Sequence, residues 1–596
     1  MECRILSWRA NYSSWRPIIR QSRYLAQAKM VFQKRFALFY EIVSRFFAAK
    51  LTICLNFSDV YHNSMGSNQK IFISALLAIL ASEVLSFIAY ANPGTSPWIF
   101  GLVAIAIIII TVYRLEWGVF IGIAELIVGS LGKMFVLEPD GSNISIRMAI
   151  WIIVMLVWLA QALSNREISF LRSKLKYPVF LLWITIIWAI VFGLIRGNSL
   201  GAIFSDVNNY FYFALIFPVY GVLRSRRVVE RLHYVFSAAV IFLSLKTIAL
   251  FYIFSHEFFN LQDTLYSWLR ATRLAEITNI DPNVLLSRVF MQSHIWILFL
   301  LFLYLAISLK NIIPFIYKSS VYNHSAEDEE EKINPVEYRD ARMSRNTTLI
   351  RVGVILSLLI LPLSAIIMSF SRSFWLAGII AFVLLFSIYF VRRLRKRRVK
   401  KFFVFAGFSC LMILASIGLT LGVASFPIGK GATSADLLRQ RASKFTGEAA
   451  VSSRYAQMIP LLGAIAKHPV VGSGFGTSVT YTSQDPRVLE KYPDGKYSTT
   501  SFELGWLEIW LKLGLIGVLA YLYLLYRICR IGYDSIKRIP SGKIKKYALA
   551  GLCVGLIAVA LAHGVSPYLN HPLGIGIVIV CISLVERKYF KRSPYL

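Results

Sequence analysis

The sequence predicts an all-α, polytopic transmembrane helical bundle of about fourteen spans with one large external helical loop. Three observations carry this. Of the 596 residues, 57% are hydrophobic, against roughly 45–50% in a soluble chain. The excess falls in uncharged runs of about 20 residues, each long enough to cross a hydrocarbon core of roughly 30 Å. The net charge of +33 is unevenly placed, with Lys and Arg gathered between those runs. Basic residues in that position fix orientation in a membrane. The charge therefore points to a lipid bilayer as the partner and not to nucleic acid.

The expected spans are 71–91, 97–113, 116–137, 146–164, 178–195, 209–223, 232–254, 287–309, 350–369, 374–391, 402–424, 506–527, 548–566 and 571–586. The basic short loops 166–176, 224–231, 392–401 and 527–546 then share one side with the basic N-terminus. That side is cytoplasmic, and both termini lie on it. Connections on the other side, such as 91–97 and 565–570, carry no Lys or Arg. Six regions follow: a basic arm at 1–70, half of the bundle at 71–317, an acidic cytoplasmic linker at 318–349, further helices at 350–426, an external loop at 427–505, and final helices with a short tail at 506–596. The arm reads either as lying on anionic lipid or as a solvated tail. No cleavable signal peptide is expected, because about 70 mostly polar residues precede the first apolar run. Six cysteines without a CxxC pair predict neither a disulfide framework nor a zinc site.

The external loop holds a polar helix near 434–444 and a second helix over 452–467, capped by Ser452 or Ser453. Tyr455, Met458, Leu462 and Ile465 share one face of the second helix by 3–4 spacing. His468-Pro469 ends it, and Gly472, Gly474 and Gly476 follow. Such a run reads as a plain turn or as backbone amides approaching an anion. Glu503 stands at the mouth of the next helix, just before Trp506 and Trp510, which suit an interfacial belt. Glu508 and Lys512 are spaced to neutralise each other.

Two further external elements carry arginine: Arg273, before Asp281-Pro282-Asn283, and Arg372, in the tight connection 369–373. Arg372 either snorkels to headgroups or faces the bundle interior, where arginine is functional. His468, His563 and His571 are candidates to line the same mouth; the last two read equally as helix caps. Glu83, Glu125, Lys246 and His294 fall inside spans, as packing pairs or as a pathway.

These residues resemble the O-antigen ligase and polymerase superfamily over a little under half of the chain. The resemblance rests on Arg273 followed by Asp281-Pro282-Asn283 opening a helix, and on Ser371-Arg372 followed by Trp375-Leu376-Ala377. It rests also on Arg454, His468-Pro469 and Gly472, Gly474, Gly476 in the long loop, and on the Leu-Gly-Leu-Ile-Gly run at 513–517. Ligases of that family typically carry His-Asn at the mouth of the helix after the loop. In register, Glu503-Leu504 stand there, which favours a polymerase or another glycan transferase over a strict ligase. The resemblance implies a multi-pass protein of the bacterial inner membrane that moves an oligosaccharide from undecaprenyl diphosphate to a sugar hydroxyl. The acceptor would be a growing glycan or lipid A–core. Arg273, Arg372 and Arg454 would hold the donor diphosphate, and Glu503 would be the catalytic base.

No cofactor is expected. The first external connection, 91–97, has no carboxylate, so a metal-independent transfer is expected, with guanidinium charge in the cation's place. The rival is a transporter or lipid-linked glycan flippase using Glu83, Glu125, Lys246 and His294. The orientation is directly testable. A membrane-impermeant thiol reagent should label a Cys placed within 427–505 and spare one placed at Ser225; the reverse pattern would overturn the site assignment.

Overall fold

Long uncharged runs become helices because a backbone in lipid must satisfy its own polar groups. The computed structural model describes residues 67–138, 143–256, 258–281, 284–325, 353–395, 397, 399–426, 449–483, 486–490, 492–540 and 543–586. Among these, nine helices are long and apolar enough to cross a membrane, and three shorter apolar helices join them. The helices in chain order are α1 (Ser67–Ala91), α2 (Ser96–Tyr113), α3 (Leu115–Val128), α4 (Ile146–Asn165), α5 (Lys176–Ile195), α6 (Leu200–Tyr210), α7 (Ile216–Val222), α8 (Arg226–Phe254) and α9 (Phe259–Ala271). After them come α10 (His294–Ser325), α11 (Gly353–Met368), α12 (Arg372–Arg395), α13 (Lys400–Ser425) and α14 (Ala449–Lys467). The last are α15 (Pro486–Leu489), α16 (Gly505–Arg538), α17 (Ile544–His563) and α18 (Pro572–Val585).

About fourteen spans is not borne out among the described residues. Two expected spans are broken. The 116–137 run stops at Val128, where Ser130 and Gly132 take positive φ. There Glu125 pairs with Arg147 at 2.8 Å, and Arg147 also donates to the Ser130 carbonyl. The 209–223 run is split into α6, a 3₁₀ turn at Phe211–Leu215, and α7. Apolarity alone does not make one straight helix when a charge must be matched or the chain must bend.

Three two-stranded sheets also amend the all-α expectation: β1 (Val136–Leu137) with β2 (Ile144–Ser145), β3 (Glu276–Asp281) with β4 (Val284–Phe290), and β5 (Val479–Thr482) with β6 (Lys496–Thr499). Asp281-Pro282-Asn283 was expected to open a helix. It sits at the junction of β3 and β4 instead, Pro282 and Asn283 themselves falling outside the described residues. Residues 287–290 belong to β4 and not to a span, and the helix begins at His294. The 427–505 segment is partly a hairpin. Its first expected helix, 434–444, the acidic run 326–332 and almost all of the 1–70 arm lie outside the described residues. The linker expected at 318–349 begins later, since α10 runs on to Ser325.

The face of α14 differs too. Leu461 and Ile465 are buried with Gln457, whereas Tyr455 and Leu462 are exposed. They pack with Val479, Phe502 and Leu511 in a small core of their own. The helix docks on a neighbouring sheet and helix rather than on lipid, so aromatic Tyr455 faces outward.

The glycine run is a keystone. Helix α16 is interrupted at Gly514, with φ 70° and ψ −178°. A break frees carbonyls on one side and amides on the other, and in a bundle both need partners. The 469–476 segment supplies them. Ser473 and Gly474 donate to the Leu511 and Lys512 carbonyls at 2.6 and 3.1 Å. Leu515 and Ile516 donate to the Pro469 and Val470 carbonyls at 2.9 and 3.3 Å. On the other side, Phe475 N–H meets the Ala189 carbonyl of α5 at 2.9 Å, and Gly476 N–H meets Asp206 at 2.8 Å. A Cβ on Gly474, which has φ +84°, would run into the Gly193 backbone.

Below this crossing, buried Lys512 bridges Asp206 at 2.7 Å and Glu508 at 2.6 Å. The expected Glu508–Lys512 pair is present and has a third member. Removing the cation leaves two buried carboxylates facing each other, at a cost of about 3–5 kcal/mol. Lys512→Met should lower the thermal unfolding midpoint in detergent sharply; an unchanged midpoint would show that the triad carries little of the fold.

Candidate functional site

Four elements bring arginine, carboxylate, histidine and tyrosine to one end of the bundle. The first is the β3–β4 hairpin. Arg288, on β4 opposite Thr278, is half-buried. Its Nε donates to the Ser369 carbonyl at 3.0 Å, and its guanidinium lies 4.7 Å from the Phe290 ring centroid. The second is the turn between α11 and α12. Phe370 there takes φ +46° while fully buried, which costs backbone strain. That turn presents Arg372 as the first residue of α12.

The third element is α14 with the strand leading into α16. Arg454 Nε lies 3.0 Å from Glu503 Oε2. Gln457, one turn further on, accepts from the Glu503 backbone N–H at 3.1 Å and donates to the Tyr481 hydroxyl at 3.0 Å. The carboxylate of Glu503 and its backbone are thus both held by α14. The fourth element is the turn between α17 and α18. Buried His563 accepts the Tyr568 and Leu569 N–H groups on Nδ1, at 3.0 and 3.1 Å. Tyr568 packs on Phe374, ring centroids 5.7 Å apart, and Phe374 packs on Phe290 at 5.8 Å.

These elements share one electrostatic environment. Loss of water lowers the Arg288 guanidinium below its ordinary value; Glu276 and Tyr568 oppose the shift, and Arg454 and Arg372 add to it. Arg372 and Arg454 therefore both act on Arg288, with Glu276 opposing them, and Glu503 lies beside Arg454. Like charges gathered this way suit a ligand with several anionic oxygens.

The expected site residues divide accordingly. Arg372 and Arg454 both act on Arg288, and Glu503 touches Arg454. Arg273 is exposed, at the end of α9. Its φ of +52°, with Arg273 N–H on the Arg270 carbonyl and Leu274 N–H on the Leu269 carbonyl, makes it the left-handed residue of a helix-ending motif. His468 is exposed at the far end of α14, about 20 Å along the helix axis from Arg454 at 1.5 Å per residue. His571 caps α18, accepting from Leu573 N–H at 3.4 Å. The glycine run directs its amides into α5, Asp206 and α16, and so works as a structural turn. Arg288 and Tyr568 are the additions. Arg288 was hidden inside an expected span, although a lone arginine at the edge of an apolar run is itself a signal.

The polar residues inside the helices form pairs. Glu83 meets Lys246 at 2.6 Å, Glu125 meets Arg147, and Thr247 meets His294 at 2.9 Å.

Beside the arginine cluster, an apolar cavity of about 560 Å³ runs between α10, α11, α12 and α13. Phe374, Trp375, Gly378 and Phe382 line it along one face of α12, starting two residues from Arg372. Among the described residues, no three His, Cys, Asp or Glu side chains cluster as a metal-ion site would need.

Fold and site together define a polytopic, mostly helical membrane protein with an arginine-rich polar site at the end of its bundle. Residues 357–522 match the family model described as O-antigen ligase (Wzy_C). The match contains Arg372, Arg454, Glu503 and the keystone turn, and excludes Arg288 and Tyr568. No curated protein matches the chain.

The Arg454–Glu503 contact is partly exposed, at 27% and 39% of the two side chains, so solvent screens it to about 1 kcal/mol or less. Arg454→Ala and Glu503→Ala should each leave the unfolding midpoint nearly unchanged. A large drop with either would make the pair a structural strut.

Proposed function

We propose that this protein is a glycan transferase moving an oligosaccharide from undecaprenyl diphosphate to a sugar hydroxyl on the external face of the bacterial inner membrane. The observation that carries the reading is the meeting of three guanidiniums and Glu503 next to an apolar cavity. A lipid diphosphate joins those two chemistries: an isoprenoid chain for the cavity and an anionic head for the arginines. The family match over 357–522 supports the same class. The acceptor is a growing glycan or lipid A–core, and the Glu503 position, where a ligase would carry histidine, favours polymerase-type transfer.

In this reading Arg288, Arg372 and Arg454 grip the phosphate oxygens. Arg454 Nε lies 3.0 Å from Glu503 Oε2 without donating a hydrogen bond to it, and in this reading the guanidinium turns its N–H groups to the phosphate. Arg273 remains a candidate for the same role at the rim, and His468, His563 and His571 for lining the mouth. The acceptor hydroxyl attacks the anomeric carbon of the donor, and its proton passes to the Glu503 carboxylate. The bond from that carbon to the phosphate oxygen breaks, and the diphosphate leaves with the electron pair. Its developing charge falls on guanidiniums already in place, which is where preorganised electrostatics act. The transfer is metal-independent, the cationic work being done by arginine.

The paired state of Glu83, Glu125, Lys246 and His294 supports packing over a transport pathway. With purified protein and a lipid-linked donor, Glu503→Gln should lower turnover by about a hundredfold or more, within the range of general-base effects. Arg372→Lys or Arg454→Lys should impair it despite the retained charge, since the planar fork is lost. Activity should persist in excess EDTA. Activity abolished by EDTA and restored by Mg²⁺ or Mn²⁺ would overturn the leaving-group chemistry.

A further inference from the structure

The turn between α17 and α18 carries three buried polar atoms with no hydrogen-bond partner among the described residues: His563 Nε2, Tyr568 Oη and Asn570 Oδ1. Leaving a buried polar atom unpaired costs about 1–3 kcal/mol, so three on one short turn call for an explanation. Tyr568 is the most informative. It is 2% exposed, and its ring is linked to Arg288 through two intervening rings, Phe374 and Phe290. The fields of Arg288 and Arg454 reach it. Its backbone is fixed by the double contact to His563 Nδ1, which leaves the ring little freedom to seek a partner elsewhere.

We propose that the Tyr568 hydroxyl is a further substrate-binding group, donating a hydrogen bond to a non-bridging oxygen of the bound diphosphate alongside the guanidiniums, with His563 as its positioning residue. The inference rests on the donor-site reading above. A neutral donor fits this place. It adds a directed hydrogen bond without adding a fourth positive charge to groups that already repel, and its loss would leave a phosphate oxygen unpaired. The match to the O-antigen ligase model ends at residue 522, so this turn belongs to a part of the chain that the match leaves out.

The test uses full-length protein in nanodiscs, with undecaprenyl diphosphate as probe and undecaprenol as control. Wild type should prefer the diphosphate, and Arg288→Ala should lose that preference. Tyr568→Phe, which keeps the ring, should keep its unfolding midpoint and bind the diphosphate about ten- to hundredfold more weakly, the range for a hydrogen bond to a charged group. Its binding of undecaprenol should not change. If Tyr568→Phe binds as wild type while Arg288→Ala does not, the Tyr568 inference is wrong and the donor site stands. If wild type shows no preference for the diphosphate, both fall. Should Tyr568→Phe fail to fold, 3-fluorotyrosine at 568 keeps the shape and makes the phenol a stronger donor. Tighter diphosphate binding would then support the proposal, and unchanged or weaker binding would overturn it.

Discussion

Everything at the end of the bundle is referred to one splice, the fit of the 469–476 segment into the interruption of α16 at Gly514. Four hydrogen bonds cross it, two in each direction. Without them the Leu511 and Lys512 carbonyls and the Leu515 and Ile516 amides would be stranded in apolar surroundings, where each unpaired group is expensive. With them, the first turns of α16 and the end of α14 become one body. That body holds Glu503 against Arg454 and Gln457. The same segment reaches α5 and Asp206, so the helices flanking the site are tied largely through backbone rather than through long side chains. Glycine is required there because a Cβ at 474 would collide with the α5 backbone.

Much of this was legible in the sequence, where one physical rule acts alone. Uninterrupted apolar runs such as 178–195 and 402–424 became membrane-length helices because nothing competed with helix formation. The Glu508–Lys512 spacing announced its ion pair for the same reason. Reading failed where two demands met on one stretch. At 116–137 apolarity argued for a span, but the buried Glu125 carboxylate and its arginine stop the helix early. At 284–290 the run VLLSRVF is too apolar for its strand periodicity to show, so it looked like the start of a helix. Arg288 was lost with it. On α14, 3–4 spacing fits several faces, and only the packing partners Val479, Phe502 and Leu511 decide which turns inward. Asp206 joined Lys512 from 306 residues away, a separation that no local pattern records.

Charge is managed in two ways. Inside the bundle each described cation has a near partner: Lys246 has Glu83, Arg147 has Glu125, and Lys512 has two carboxylates. Desolvation is offset locally, and these groups contribute to the shape of the bundle. At the bundle end the balance changes, because Arg372 and Arg454 both bear on Arg288. Such a cluster is tolerable near water and becomes favourable when an anion arrives. Its neighbour is the apolar cavity between α10, α11, α12 and α13, so opposite solvent preferences meet within two residues, Arg372 and Phe374.

The splice also sets a sequence of events in biogenesis. Chains are synthesised from the N-terminus, so α5 and Asp206 are in place long before residue 469 emerges. The segment 469–476 can dock on them at once, but its second seat, the break at Gly514, does not exist until residue 516 has followed. The site therefore cannot form in the nascent chain before α16 arrives, and its last element, the turn between α17 and α18, follows later still. The end of the bundle that gathers Arg454 and Glu503 is thus held unfinished until late in synthesis, while the rest of the bundle is still being threaded into the membrane.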